Sequence, residues 1–215
     1  LIFAYFLLFI KRREEKRATK NQIIYFHIGM LFLYIIKGAQ FHPFTGEIER
    51  EFYTVINPDS AIRYGAHVEG GTVMWWLRQS EEARQAVQNG GELAAELAHF
   101  SDWLTDVPDL PDRDIAVYGN GAKFDLTILE NSYRMAGLLL PWSYKNEFCG
   151  RTLRGLATLV GNGALSRPNS PTVGTHHNAL DDAKWLAREV AHTLSLVQGS
   201  VAFYVDSGML AGESQ

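Results

Sequence analysis

From Ile35 onward the apolar residues fall into the two periods that secondary structure imposes. Ile35 to Phe41 and Glu51 to Ile56 read as the strands of a hairpin, with Pro43 and Gly46 in the turn between them. Thr72 can cap a short helix carrying Val73, Trp75, Trp76 and Leu77, and Ser80 followed by Glu81 and Glu82 can cap the next. Leu93, Leu97, Phe100 and Leu104 recur at helical spacing, so the pattern predicts an amphipathic helix over Gly91 to Thr105. Pro108 and Pro111 mark a loop. Beyond it, the strand-like run Ile115 to Tyr118 breaks at Gly119, Asn120 and Gly121 and delivers Phe124 and Asp125 to the start of another amphipathic helix.

That helix stops before Pro141, and Trp142 to Phe148 is expected to add an edge strand. Thr152 to Val160 reads as a short helix. Asn162 to Thr175, with Gly163, Pro168, Pro171 and Gly174, is a long loop set just before His177, in the place of a lid or of a plain connection. Ala183, Leu186, Ala187, Val190 and Leu194 then give a last helix with one apolar face, and Val201 to Val205 reads as strand-like.

The first 36 residues follow a different pattern. Leu1 to Ile10 is almost wholly apolar, KRREEKRATK carries six Lys or Arg beside Glu14 and Glu15, and Ile23 to Ile36 is apolar again. A membrane-associated hairpin would use both runs, but each falls short of the ~20 residues of a spanning helix. A signal peptide places its positive charges before the apolar region, and here they follow it. The β-branched and aromatic content of Ile23 to Ile36 favours a buried strand or strand pair. The expected organisation is an apolar and basic segment over 1–22, one domain over 23–198 and a tail over 199–215. The chain opens on Leu1 and not Met, which fits upstream residues, a processed start or a shifted reading frame.

Composition narrows the class. With 215 residues, 47% hydrophobic and 20% charged, the chain can bury one sizeable core as a single α/β domain. Cys149 is the lone cysteine, so an internal disulfide and a cysteine-based zinc cluster are excluded and a reducing, cytoplasmic setting is the expectation. A net charge of -4 argues against a protein that holds duplex nucleic acid by phosphate neutralisation.

The candidate chemistry lies in two stretches, VYGNGAKFDLTILENSY (Val117 to Tyr133) and HHNALDDAKWL (His176 to Leu186). A helix start following a strand fixes the carboxylate of Asp125, and His177 and Asp182, five apart, stand at the start of the last helix. Taken singly, Asp125 is equally a favourable charge near a helix dipole, His177 a loop histidine and Asp182 a first-turn acid. Trp75 or Trp76 could stack on a base, although adjacent tryptophans usually place one in the core.

Together these stretches resemble motifs II and III of the DEDD superfamily of 3′-to-5′ exonucleases, in the subfamily whose third motif is His, four residues, Asp. The likeness is closer to the small phage and prophage 3′-to-5′ exoribonuclease branch. GAQFHPFTGEIEREFY (Gly38 to Tyr53), GTVMWWLRQSEEAR (Gly71 to Arg84) and the Arg151, Thr152 step after Cys149 also match its pattern. The resemblance implies a ribonuclease-H-like mixed sheet flanked by helices. It implies Asp125 and Asp182 as ligands of a two-ion Mg²⁺ or Mn²⁺ site, and His177 as the base that deprotonates the attacking water. It further implies that Asn120 and Phe124 meet the terminal nucleotide, with Trp75 the tryptophan taken as the candidate to stack on its base, and that the partner is the 3′ end of single-stranded RNA or DNA.

Motif I of the family is an Asp and a Glu two apart on the first strand, which should fall near residues 20 to 30. Between Glu15 and Glu47 there is no acidic residue, and Glu14 and Glu15 are adjacent, so on a strand they would face opposite ways. The resemblance therefore implies a metal-dependent 3′-to-5′ exonuclease lineage, an exoribonuclease, with impaired activity in this chain. The competing readings are a catalytically dead domain that only binds nucleic acid and a membrane-tethered protein anchored through residues 1–36.

Overall fold

The computed structural model describes residues 23–28, 35–68, 70–106, 115–160 and 179–206. Residues 1–22, and with them the first apolar run and its basic partner, lie outside the described residues, as do 107–114 and 161–178, on which the two expected loops fall. Five strands form one mixed sheet in the order β3-β2-β1-β4-β5. They are β1 Ile23–Ile28, β2 Ile35–Phe41, β3 Ile48–Val55, β4 Ala116–Gly119 and β5 Glu147–Cys149. β1 is antiparallel to β2, with Ile23 opposite Phe41 and Ile28 opposite Ile36, and β2 is antiparallel to β3. On its other side β1 runs parallel to β4, with Ile24 beside Val117 and Phe26 beside Gly119, and β4 runs parallel to β5. The first six residues of the second apolar run thus form the central strand, and its last two, Ile35 and Ile36, open β2. Among the described residues no helix is long and apolar enough to cross a membrane.

Seven helices accompany the strands in the described residues: α1 Pro58–Arg63, α2 Gly70–Leu77, α3 Glu81–Gln88, α4 Leu93–Thr105, α5 Ala122–Met135, α6 Gly150–Val160 and α7 Ala179–Asp206. Side chains directly opposite in a sheet share a face, and alternate residues face opposite ways. That alternation divides the core in two. Ile36 and Val117 pack with Leu93, Leu97, Phe100 and Leu104 of α4 and with Leu126 and Leu129 of α5. Ala39, Phe41 and Tyr118, on the other face, pack with Leu153 of α6 and with Ala183, Leu186, Val190 and Leu194 of α7. Each fully buried Leu or Phe contributes about 1.5–3 kcal/mol.

The buried stripe of α4 is the one its spacing predicts, and the hairpin and the helices on either side of Asp125 also match. Three expectations need correction. Val201 to Val205 is helical, because α7 runs unbroken from Ala179 to Asp206 and a helix already packed through Leu194 and Val197 overrides the local β-branched character. Trp142 to Phe148 is only partly strand. Tyr144–Asn146 forms a 3₁₀ turn started by Ser143, and β5 begins at Glu147. The α4 helix starts at Leu93, because Gly91 is held in a bridge to Ile56, with its N–H 2.8 Å from the Val55 carbonyl. The helix α1 was not anticipated, although Asn57 followed by Pro58 is a start signal: Asn57 Oδ1 accepts from the N–H of Asp59 at 2.8 Å.

Candidate functional site at the end of β4

The strand β4 ends at Gly119, and the chain turns through Asn120 and Gly121 into α5. Asp125 lies in the first turn of that helix, where exposed N–H groups and the dipole favour a carboxylate. It is 3% exposed, and its Oδ2 accepts from the Gly121 N–H at 2.8 Å. A Cβ on Gly119 would stand 3.2 Å from the Asp125 Cβ and 3.3 Å from Oδ2. The carboxylate is therefore folded back against the strand end, and the glycine leaves the space for it.

A second layer fixes the turn from behind. The Asn120 carbonyl accepts from the Arg151 N–H at 3.0 Å, joining the turn to the start of α6. Asn120 Oδ1 accepts from Arg154 Nη2 at 2.7 Å, and Arg154 Nη1 donates to Glu189 Oε2 of α7 at 2.9 Å. Neither Arg154 nor Glu189 was singled out from sequence. The available signal was Glu189 itself, a charged residue on the apolar face between Leu186 and Val190. Nearby, burial pushes the Cys149 thiol up, but hydrogen bonds from the Thr152 side chain and from surrounding backbone groups outweigh it and leave the thiol below its ordinary range. Tyr118 stacks on Phe148 with ring centroids 5.0 Å apart, and burial raises its phenol to about 12.

The direction of α7 decides where its first turn lies. Ser195 Oγ donates to the Phe44 carbonyl at 2.6 Å, and a Cβ on Gly46 would lie 3.3 Å from that of Ala191, so this part of α7 sits by the β2–β3 turn. That turn is at the beginning of β1, since Phe41 is opposite Ile23. Lys184 Nζ meets Glu51 Oε1 at 2.8 Å, and Glu51 is level with Ala39 and Tyr25 in mid-sheet. The helix thus climbs, toward its own N-terminus, to the end of β1 and β4 where Asp125 is. From Ala191 to Asp182 a helix covers about 13 Å, close to the roughly 13–17 Å along β1 that four or five residue steps span.

Asp182 thus has its backbone in the first turn of α7, at the Asp125 end of the sheet. His177 lies outside the described residues. Asn120 is half-buried and engaged by Arg154, whereas Phe124 is 45% exposed beside Asp125. Trp75 has its backbone on α2, where Val73, Met74 and Leu77 are exposed.

The strand next to Asp125 is the exception. β1 reads IIYFHI and carries no carboxylate, and it is this strand that the register sets beside β4 at Phe26 and Gly119. Among the described residues no group of three or more His, Cys, Asp or Glu is placed to hold a metal ion. Asp125 offers one oxygen already engaged by a backbone N–H. A hard divalent ion requires several oxygen ligands, so the described donors do not fit a two-ion centre.

Three solved structures that the chain resembles are nucleases. The nuclease domain of 3′hExo, a DEDDh family member crystallised with rAMP, aligns with a TM-score of 0.55 at 14% identity, over 82% of this chain and 93% of that one. A full-length 3′-exonuclease aligns with a TM-score of 0.53 at 14% identity, over 84% and 83%. Exonuclease I of E. coli, in complex with a dT13 oligonucleotide, gives 0.53 at 14% identity over 88% of this chain and 44% of that one. At such identities the likeness establishes the fold alone, a ribonuclease-H-like mixed sheet with flanking helices. No curated protein matches the chain in sequence. The family described as the 3′-5′ exoribonuclease Rv2179c-like domain, however, matches residues 26–194, more than half of the chain. Enzymes of this type are hydrolases of phosphodiester bonds at nucleic-acid 3′ ends and generally use divalent metal ions. This chain belongs to the 3′-5′ exoribonuclease Rv2179c-like family.

Proposed function

We propose that the end of the sheet formed by β1, β4 and the first turns of α5 and α7 receives the 3′ end of a single-stranded RNA, and that hydrolysis there is impaired in this chain. Asp125, Asp182 and His177 are the members of the catalytic set that it retains, the two acids as ligands of Mg²⁺ or Mn²⁺ and the histidine as base. Asn120, Phe124 and Trp75 are assigned to the terminal nucleotide. Phe124 supports this by its exposure, since an aromatic ring beside the site can stack on a base. The choice of RNA rests on the family description.

The observation that carries the impairment is the composition of β1. It lies against β4 at the level of Asp125 and brings no acid to it. Catalytic groups that act as a unit lose nearly their whole effect when one member is removed, and here two are wanting. Binding of nucleic-acid ends without turnover is the second reading, and the same strand favours it.

The test uses 5′-labelled single-stranded RNA and DNA of one sequence, incubated with the full chain and Mg²⁺ or Mn²⁺. Binding of RNA 3′ ends with no more than trace shortening is the expected result. Robust stepwise release of mononucleotides would overturn the impairment, and absence of binding to either strand would overturn the assignment of the site.

A further inference from the structure

We propose that Arg154 is a positioning residue that sets the spacing between the two helix starts of the site, by bridging the turn before Asp125 to the body of α7. The inference rests on reading this end of the sheet as a 3′-end site. Arg154 makes no part of the set assigned above. Its guanidinium donates through Nη2 to Asn120 Oδ1 at 2.7 Å and through Nη1 to Glu189 Oε2 at 2.9 Å. Asn120 lies five residues before Asp125, inside the turn whose Gly121 N–H holds that carboxylate. Glu189 lies seven residues after Asp182, close to two full turns, so the two positions lie on one face of α7.

Burial makes the bridge costly and geometrically strict. The Glu189 side chain is 2% exposed and that of Arg154 17%. Taking two charges out of water offsets most of their attraction, so a pair of this kind adds little net stability over apolar packing. It does add geometry. Guanidinium is a rigid planar fork whose donors leave at fixed angles, so two bonds from one fork fix where Asn120 and Glu189 stand relative to each other. The bridge also spans elements that face different cores: α5 packs on the Val117 face of the sheet, and α6 and α7 on the Tyr118 face. Apolar packing within either face cannot set the position of one helix start against the other; a link around the strand end can.

The test compares the full chain with Arg154→Met, Arg154→Lys and Glu189→Gln. Fluorescence anisotropy measures affinity for one RNA oligonucleotide ending in a 3′-hydroxyl and for the same oligonucleotide ending in a 3′-phosphate. Arg154→Met should reduce the preference for the hydroxyl end by about tenfold, the scale of a lost charge-assisted hydrogen bond. Glu189→Gln, which keeps the side-chain shape, should reduce it less. Arg154→Lys should recover part of it, because an ammonium can serve one partner but not both. General destabilisation would lower both affinities together and leave the preference intact. Hydrogen exchange gives a ligand-free arm: in Arg154→Met, amides of Gly119 to Asp125 and of the first turns of α7 should lose protection together, while α4 keeps its own. Unchanged preference and unchanged exchange in a folded Arg154→Met variant would overturn the role of Arg154. A wild-type chain with no preference for the hydroxyl end would instead overturn the site, and the exchange arm would then decide the bridge by itself.

Discussion

Gly119 and Asp125 are matched: a Cβ at position 119 would stand 3.2 Å from the Asp125 Cβ and 3.3 Å from Oδ2, closer than nearly all real Cβ contacts. A neighbour would have to give by a few tenths of an ångström, and the Ala122 Cα, also at 3.2 Å, is backbone and closes the helix side. Gly119→Ala should therefore push α5 away from β4 and weaken the bond from the Gly121 N–H. The expected cost is about 1–3 kcal/mol, as for other overpacked positions, measured as a lower urea midpoint. An unchanged midpoint together with unchanged RNA binding would show that the fit is looser than these distances imply.

Phe100 tests the larger of the two cores. It is fully buried, with ring centroids 5.1 Å from Phe52 and 6.0 Å from Trp103. Phe100→Ala should cost about 3–5 kcal/mol, enough to remove much of the stability of an ordinary domain. Leu139, 88% exposed, serves as the control, and Leu139→Ala should stay within about 0.5 kcal/mol. Denaturant titration of the two variants against wild type checks the contrast, and comparable losses in both would contradict the assigned core.

Alkaline pH bears on the other face. Burial raises the Tyr118 phenol from 10.0 to about 12, so the folded chain keeps a proton that the unfolded chain gives up. That contribution is fully present below the unfolded value and is lost as pH rises through the folded one. The gap corresponds to roughly 3 kcal/mol. Stability should accordingly fall between pH 10 and 12, and Tyr118→Phe should flatten the fall. Melting curves across that range would sink the reading if the variant and wild type declined in parallel.

These relationships were unequally legible in the sequence. Leu93, Leu97, Phe100 and Leu104 announce α4 because a helix must bury one stripe, and Gly119 to Gly121 before Asp125 announce a strand that turns into a helix. The missing acids near residues 20 to 30 were equally plain, since absence from a sequence needs no fold to be seen. By contrast, Val201 to Val205 misled because β-branched residues extend a helix when the preceding face is already committed. The Arg154 bridge was out of reach for another reason. Asn120, Arg154 and Glu189 are separated by 34 and 35 positions, and only the closure of the sheet brings them together.

The strand β1 offers the most direct prediction. Phe26 is beside Gly119, and Ile28 is opposite Ile36, which is buried with α4 and α5, so positions 26 and 28 share the sheet face of Gly119, against which Asp125 is folded. Phe26→Asp combined with Ile28→Glu would place two carboxylates two apart on that strand, next to the acid already there. Without metal, two more carboxylates beside Asp125 should destabilise the fold, since like charges brought close together repel unless a cation pairs them. With millimolar Mg²⁺ or Mn²⁺ the melting temperature should recover, because a ligand that binds only the folded chain stabilises it by mass action. Hydrolysis of a 3′-ended RNA should rise over the parent chain by on the order of a hundredfold. A double variant that melts at the same temperature with and without metal, and leaves the RNA intact, would mean that β1 does not stand where the missing acids belong.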